Sequence, residues 1–553
     1  MEPNGSPARS RLRIVLLTGL GILVLLSGVL VASQGVFGRF WQRAAEPVAI
    51  KNRQNLELSA PDGLLEAERL SQLPKDLLSA PFLADLLSDD FVFYYQHNAE
   101  KLAVIGTLRR LAFEHNLTLP EQLISQLLDT PAQVALWKGD EGKLSYSLAR
   151  LELGLAAPLG KVLANFISAA SEIAQTDKQL KFAGEISLNK NKVPFFSLDY
   201  LSGRSLLFAF QGEHLIVASH QELLQDEPGH FRPEAQTIIE QLFANQQPFK
   251  THFNLSDTQP KAQARISLDA HFFTLGYQDY LPALEGVRFE LSEGKWQSFI
   301  GLAKGDHKAR FAADLWAKAP ADASLCALMP VNPAALNSII SEQQQNPKIT
   351  QAFTGRSFVC WFANAPLAKP LIGAELTSDG ASAEFDAEIT ALFDKTIRNN
   401  KVPKTTDEAG NTISPGGYAP SNIQVTDVEG GKQWQKSDGK GKPIATLLRQ
   451  HNFMLFSLHA PLLQHGADTL AKRYPALGDK LPNKEAMALF LAPQGLATLL
   501  QTEIRQMAAD NDLGPLLPKL TALGKKPALV AQFDAGKQAD SAMSWYPLQW
   551  NSL

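Results

Sequence analysis

His220 and His459 are the residues of this chain that most invite a chemical reading. Each closes a β-rich run and stands before a short helical stretch, in HLIVASHQELLQ and FMLFSLHAPLLQ. An imidazole there can meet free backbone amides at a helix start, or it can ligate a metal. A metal site needs two or more further ligands, and no HExxH motif or cluster of His and carboxylates accompanies either residue. The helix-start reading is therefore preferred. Asn98 and Asn332 sit where a strand gives way to a helix, and an asparagine there accepts a hydrogen bond from an early helical amide. Pro333 follows at a first helical position, where its missing N–H costs little. Capping accounts for both asparagines without amide catalysis.

Other spacings fail for lack of context. SLNK (187–190) and SDGK (437–440) carry the serine-lysine spacing of acyl enzymes, but that chemistry needs a helix to aim both side chains into one pocket, and both lie in polar, turn-like surroundings. No GxSxG elbow, GxxxxGK[ST] phosphate loop or GxGxxG fingerprint occurs. DNDLG (510–514) opens like a calcium loop and lacks its later glutamate, so it reads as a turn. The sequence thus names no catalytic residue, no cofactor and no metal ligand. Its aromatic run FVFYY is best explained as a buried strand.

The elements around these residues repeat. FVFYYQHNAEKL (91–102) lines up without a gap on LCALMPVNPAAL (325–336), and VALW (134–137) on FVCW (358–361), pairing Trp137 with Trp361. HLIVASHQELLQ (214–225) matches FMLFSLHAPLLQ (453–464), and ARISLDAHFFTLGY (264–277) loosely matches MALFLAPQGLATLL (487–500). Four matches in one order are more economical as one duplication than as separate coincidences. Each half then reads as strands, short helices and a closing hairpin, with turn chemistry at SEGK, KGDHK and DAGK. The expected class is α+β: mostly antiparallel sheets with packed helices, duplicated. Cys326 and Cys360 fall on the first two strands of the second half opposite the apolar mates Val92 and Leu136. Two readings stand, a pair of buried thiols or a cross-strand disulfide in an oxidising compartment.

The chain has 553 residues, 45% hydrophobic and 20% charged, which implies a globular protein with more than one domain. The run IVLLTGLGILVLLSGVLVA (14–32) is uncharged and long enough to cross a ~30 Å bilayer core as a helix. Arg9, Arg11 and Arg13 precede it, and Phe37, Phe40 and Trp41 follow, which suggests a cytoplasmic N-terminus. Residues 1–53 hold seven basic residues against two acidic ones; with −4 overall, the remaining 500 residues carry −9. That balance offers no broad electrostatic reason to bind nucleic acid. The expected organisation is a cytoplasmic tail (1–13), a transmembrane anchor (14–36), a stalk (37–63), and repeat halves at 64–320 and 321–553. A surface loop or flexible flap is expected at 404–422.

LELSAPDGLL, followed by LSQLPKDLLSAPFLADLLSDDFVFYYQHNAEKL and DTPAQVALWKGDEGK, resembles the YfaA family of uncharacterised Gram-negative bacterial proteins. The resemblance covers most of the chain and is most specific over 56–145. It implies a single-pass protein of the bacterial inner membrane with a periplasmic ectodomain, and carries no catalytic residues over. Members are often encoded beside an alpha-2-macroglobulin-like protein, which the resemblance nominates as a partner. The expected function is a non-enzymatic, membrane-tethered interaction or accessory protein in envelope maintenance or defence. The competing expectation is an envelope hydrolase or peptidase-like enzyme with a site between the halves.

Overall fold

Alternation of apolar and polar residues over short runs, punctuated by turn formers, builds sheets through much of the described chain. The computed structural model describes residues 56–73, 75–76, 106–107, 110, 129–138, 144–153, 174–175, 177–188, 191–201, 204–255, 262–273, 284–304, 311, 313–328, 347–378, 382–396, 405–406, 412–413, 422–438, 440–481, 487–507, 516–534 and 543–553. They fall into two compact units. One comprises the described residues up to Phe273 with Gly286–Ile300; the other comprises the described residues within 274–285, 301–507 and 513–553.

The first unit contributes strands β1 (Gly63–Ala67), β2 (Ala132–Lys138), β3 (Leu144–Glu152), β4 (Leu180–Leu188), β5 (Asn191–Leu201), β6 (Arg204–Gln211), β7 (His214–Ala218), the small β8 (Gln225–Glu227) and β9 (His230–Phe231), β10 (Ala264–Asp269) and β11 (Leu284–Ser292). Strand β12 (Lys295–Ala303) follows after a two-residue turn in which Glu293 and Gly294 both have positive φ, 51° and 70°. That is the backbone a tight hairpin turn demands, and it falls on the SEGK turn expected from sequence. Helices α1 (Pro233–Phe243) and α2 (Pro248–His252) lie between β9 and β10.

The second unit contributes β13 (Leu325–Leu328), β14 (Phe353–Trp361), β15 (Leu371–Leu376), the two-residue β16 (Thr405–Thr406) and β17 (Thr412–Ile413), β18 (Asn422–Val428), β19 (Gly431–Ser437), β20 (Pro443–Gln450), β21 (Phe453–Ser457), β22 (Met487–Leu491), β23 (Leu529–Gln532) and β24 (Met543–Ser552). Its helices are α3 (Ala383–Thr396), α4 (Ala460–Leu470), α5 (Pro493–Met507) and α6 (Leu516–Leu523).

Strand order is the same in both units. In the first it runs β4, β5, β6, β7, β3, β2, β1, β10, β11. In the second it runs β18, β19, β20, β21, β15, β14, β13, β22, β23, then β24. Every one of these pairings is antiparallel. Register agrees as well: Leu148 stands opposite Ala218, which stands opposite Leu207, as Leu371 stands opposite Ser457 and Ser457 opposite Thr446.

This correspondence corrects two of the sequence matches. The strand in the place of β13 is β1, not FVFYYQHNAEKL, which lies outside the described residues. Ala135 opposite Leu148 corresponds to Cys360 opposite Leu371, so Trp361 matches Leu136 and not Trp137. Because successive strand residues point to opposite faces, that one-residue difference puts the two tryptophans on opposite sides of their sheets. Trp137 packs edge-on against Phe249 of α2 and donates to the Glu57 carbonyl, whereas Trp361 donates to the Leu367 carbonyl.

The expected membrane anchor is corrected. Residues 14–36 lie outside the described residues, and among the described residues no helix is long and apolar enough to cross a membrane. The longest of them, α5, has 15 residues, about 22 Å against the ~30 Å hydrocarbon core. The expectation of a single-pass inner-membrane protein with cytoplasmic N-terminus and periplasmic ectodomain therefore finds no support. The expected α+β class with a leading transmembrane helix gives way to a strand-dominated, antiparallel architecture.

Candidate functional site

Two units with one strand order allow position-by-position comparison, and they differ in a row of the first whose Arg150, Gln133 and Arg265 are buried and whose Glu66 and Glu290 are half-buried. Arg150 (β3), Gln133 (β2), Glu66 (β1), Arg265 (β10) and Glu290 (β11) stand directly opposite one another in sequence across five strands. Arg150, Gln133 and Arg265 are 4%, 5% and 6% exposed. Arg265 bridges Glu66 at 3.0 Å and Glu290 at 2.7 Å, and Lys250 of α2 reaches Glu66 at 3.1 Å. Gln133 donates to Gln247 at 2.8 Å and Arg150 to Asn245 at 2.7 Å, so the chain joining α1 to α2 closes over the row. Desolvation works against the charge on Arg265, but Glu66 and Glu290 overcome it and raise the guanidinium's pKa. At the neighbouring Arg288 desolvation prevails and lowers the value to about 10.

The second unit fills the positions of Arg150, Gln133 and Glu66 with Gly373, Phe358 and Leu328, and on β22 Ala488 comes next to Leu489, the partner of Ala327, where a register shift against β23 falls. Phe358 and Leu328 are fully buried, and Phe358 stacks on Phe453 with ring centroids 5.8 Å apart. Gly373 makes room, since a Cβ there would lie 2.4 Å from the Phe358 ring. Phe453 itself matches His214, which touches Arg150 in the first unit. The frame therefore closes without charge, and the ionic row is particular to the first unit. Sequence reasoning missed it because its members are scattered from residue 66 to 290. The one available signal was a charged or amide residue interrupting each of several otherwise apolar strands, as in SLARLE and VRFELS.

The nominated chemical residues do not converge. His220 precedes the 3-10 turn Gln221–Leu223 and His459 precedes α4, neither with a side-chain cap. His220 Nδ1 lies 2.9 Å from Ser219 Oγ and its ring packs edge-on to Tyr146. Desolvation and then Lys369 lower the His459 pKa. Ser187 is exposed on β4, while Ser437 ends β19 beside a turn in which Asp438 accepts the N–H groups of Lys440 and Lys442. Asn98, Asn332 and 510–514 lie outside the described residues. Cys326 and Cys360 face each other across β13 and β14, fully buried, joined as a disulfide with Cα atoms 4.0 Å apart.

Two histidine-carboxylate clusters lie elsewhere. Asp269 accepts from His252 at 3.2 Å and from His271 Nδ1 at 3.0 Å, and Asp322 lies 3.3 Å from His465, whose ring stacks on Tyr474. Among the described residues, no group of three His, Cys, Asp or Glu is placed to hold a metal ion.

Exposed apolar side chains, by contrast, recur at matched positions. Among the described residues β4 and β18 end their sheets, each pairing with one neighbour. Phe182 of β4 is 57% exposed and Val425 of β18 is 44% exposed. Phe182 stands opposite Phe196 and then Phe208; Val425 stands opposite Trp434 and then Leu447. An outer strand presents unpaired N–H and C=O groups that can receive another strand. The two edges differ in how open they are. β4 is bulged at Gly184 (φ 111°), where a Cβ would sit 3.0 Å from the Gly229 carbonyl, and it carries Lys181 paired with Asp199 and Glu185 paired with Lys192. β18 runs seven residues against β19 without a register shift, and its one charge, Asp427, is paired with Lys432.

Comparison with known proteins gives the chain's relationships. The family model described as "Uncharacterized protein conserved in bacteria (DUF2138)" matches residues 15–550. The uncharacterized protein YfaA of Escherichia coli strain K12 is 31% identical over 567 aligned positions, covering 97% of this chain and 98% of the relative. No solved structure matches. The duplicated sheet and its edges thus describe a member of this uncharacterized bacterial family, to which the chain belongs.

Proposed function

We propose that this protein binds rather than catalyses, taking an extended, weakly charged segment of a partner protein as an added strand on the open edge of β18. The observation that carries this reading is Val425, exposed in mid-edge at the position matched by Phe182 in the other unit. Added main-chain hydrogen bonds supply affinity in such a mode, and side chains on alternate positions supply selectivity. The partner segment would lay an apolar side chain against Val425. β4 is the lesser edge, because its bulge and flanking charges discourage strand addition.

The first partner to try is the one the family resemblance nominates, an alpha-2-macroglobulin-like protein. Calorimetric titration of the purified pair should give saturable binding, weakened about tenfold or more by Val425→Lys and left unchanged by Lys295→Ala on β12. Absence of binding, or binding indifferent to Val425→Lys, would overturn the reading.

A further inference from the structure

The same strand order occurs twice in one chain, which sets a folding problem. β1 belongs between β2 and β10, and β13 between β14 and β22, yet the two slots share neighbours, direction and register. Strands from a duplicated sequence can enter the wrong copy, the intrachain counterpart of domain swapping. Leu64 of β1 corresponds to Cys326 of β13, and Glu66 to Leu328. Apolar matching alone would let either strand fill either slot.

We infer that the ionic row is a pairing code that keeps β1 out of the slot of β13. In its own slot Glu66 meets Arg265 and Lys250. In the other it would take the fully buried place of Leu328 and face Phe358, also fully buried. A buried carboxylate without a cation is strongly disfavoured. The reverse exchange is disfavoured too, since Leu328 in place of Glu66 would leave the buried Arg265 with one carboxylate fewer. A buried ion pair adds little net stability over well-packed apolar residues, so discrimination between alternatives is its better-attested use.

The disulfide of the second unit supplies the readout. In the full chain carrying Leu64→Cys, native pairing sets Cys326 against Cys360 and residue 64 against Ala135. Strand exchange would instead set residue 64 against Cys360. The chain is refolded from the reduced, denatured state in a glutathione redox buffer and its disulfides are mapped. With the row intact, the 326–360 bridge should dominate. Adding Glu66→Leu should raise the 64–360 bridge at least tenfold, whereas Leu148→Ala, which damages the first unit's core but leaves the row, should not. No rise with Glu66→Leu, or an equal rise with Leu148→Ala, would overturn the inference. Mapping reads the pairing reached whether or not a variant regains full stability.

Discussion

At the scale of single residues, several described polar groups hold the fold. Asp177 is a clear case: it takes a bidentate contact from Arg110 at 3.0 and 3.1 Å and caps the amides of Gln179 and Leu180. Desolvation raises its pKa, but the Arg110 bond and the two amides outweigh that and hold the carboxyl at about 2. The folded value lies below the unfolded one near ~3.9, so the stabilisation is complete above that value and disappears as pH falls through about 2. Asp177→Asn should therefore cost roughly 1–2 kcal/mol at pH 7, less than a fully buried pair because Arg110 is partly exposed, and almost nothing at pH 2. Urea unfolding across that range measures it; a cost independent of pH would contradict it. Such residues were only partly legible. His220 and His459 could be located because each ends a run of recognisable β character, whereas the Glu66 row depends on strands more than 60 positions apart being brought into register.

At the scale of elements, α3 shows how a helix is fixed to the sheet. Asp386 meets Arg449 of β20 at 2.6 and 2.7 Å, and Trp434 donates to Thr390 one turn further along. Phe385, Ile389 and Phe393 add the apolar stripe that packs on Trp434 and Leu447. Both partners of the ion pair are buried, so Asp386→Ala leaves a guanidinium uncompensated and should cost about 3–5 kcal/mol. The double change Asp386→Leu with Arg449→Phe, Phe being the residue at the matched position 210, should restore most of that loss in urea unfolding. A double variant as weak as the single would show that the pair itself, not the stranded charge, supplies the stability. Elements were the most legible level. The SEGK hairpin and the strands around HLIVAS and FMLFSL follow from local turn chemistry and alternation. The first strand of the duplication was misplaced because GLLEA is short and carries a charge, while FVFYY has the stronger β character.

At the scale of the whole molecule, duplication accounts for the common strand order, and divergence within it separates what the frame requires from what it tolerates. Charge in the row is tolerated in one unit and absent from the other; an exposed apolar residue on the outer strand is kept in both, as Phe182 and Val425. The second pattern is the basis for reading β18 as a receiving edge. Its openness can be measured by residue-resolved amide hydrogen exchange on the monomeric chain. On an open edge, protection alternates along 422–428, with the outward amides exchanging about 100-fold or more faster than those of β19 and β20, which are paired on both sides. Continuous protection along 422–428, equal to that of β19, would mean that the edge is already covered and would contradict the reading of β18 as a receiving edge.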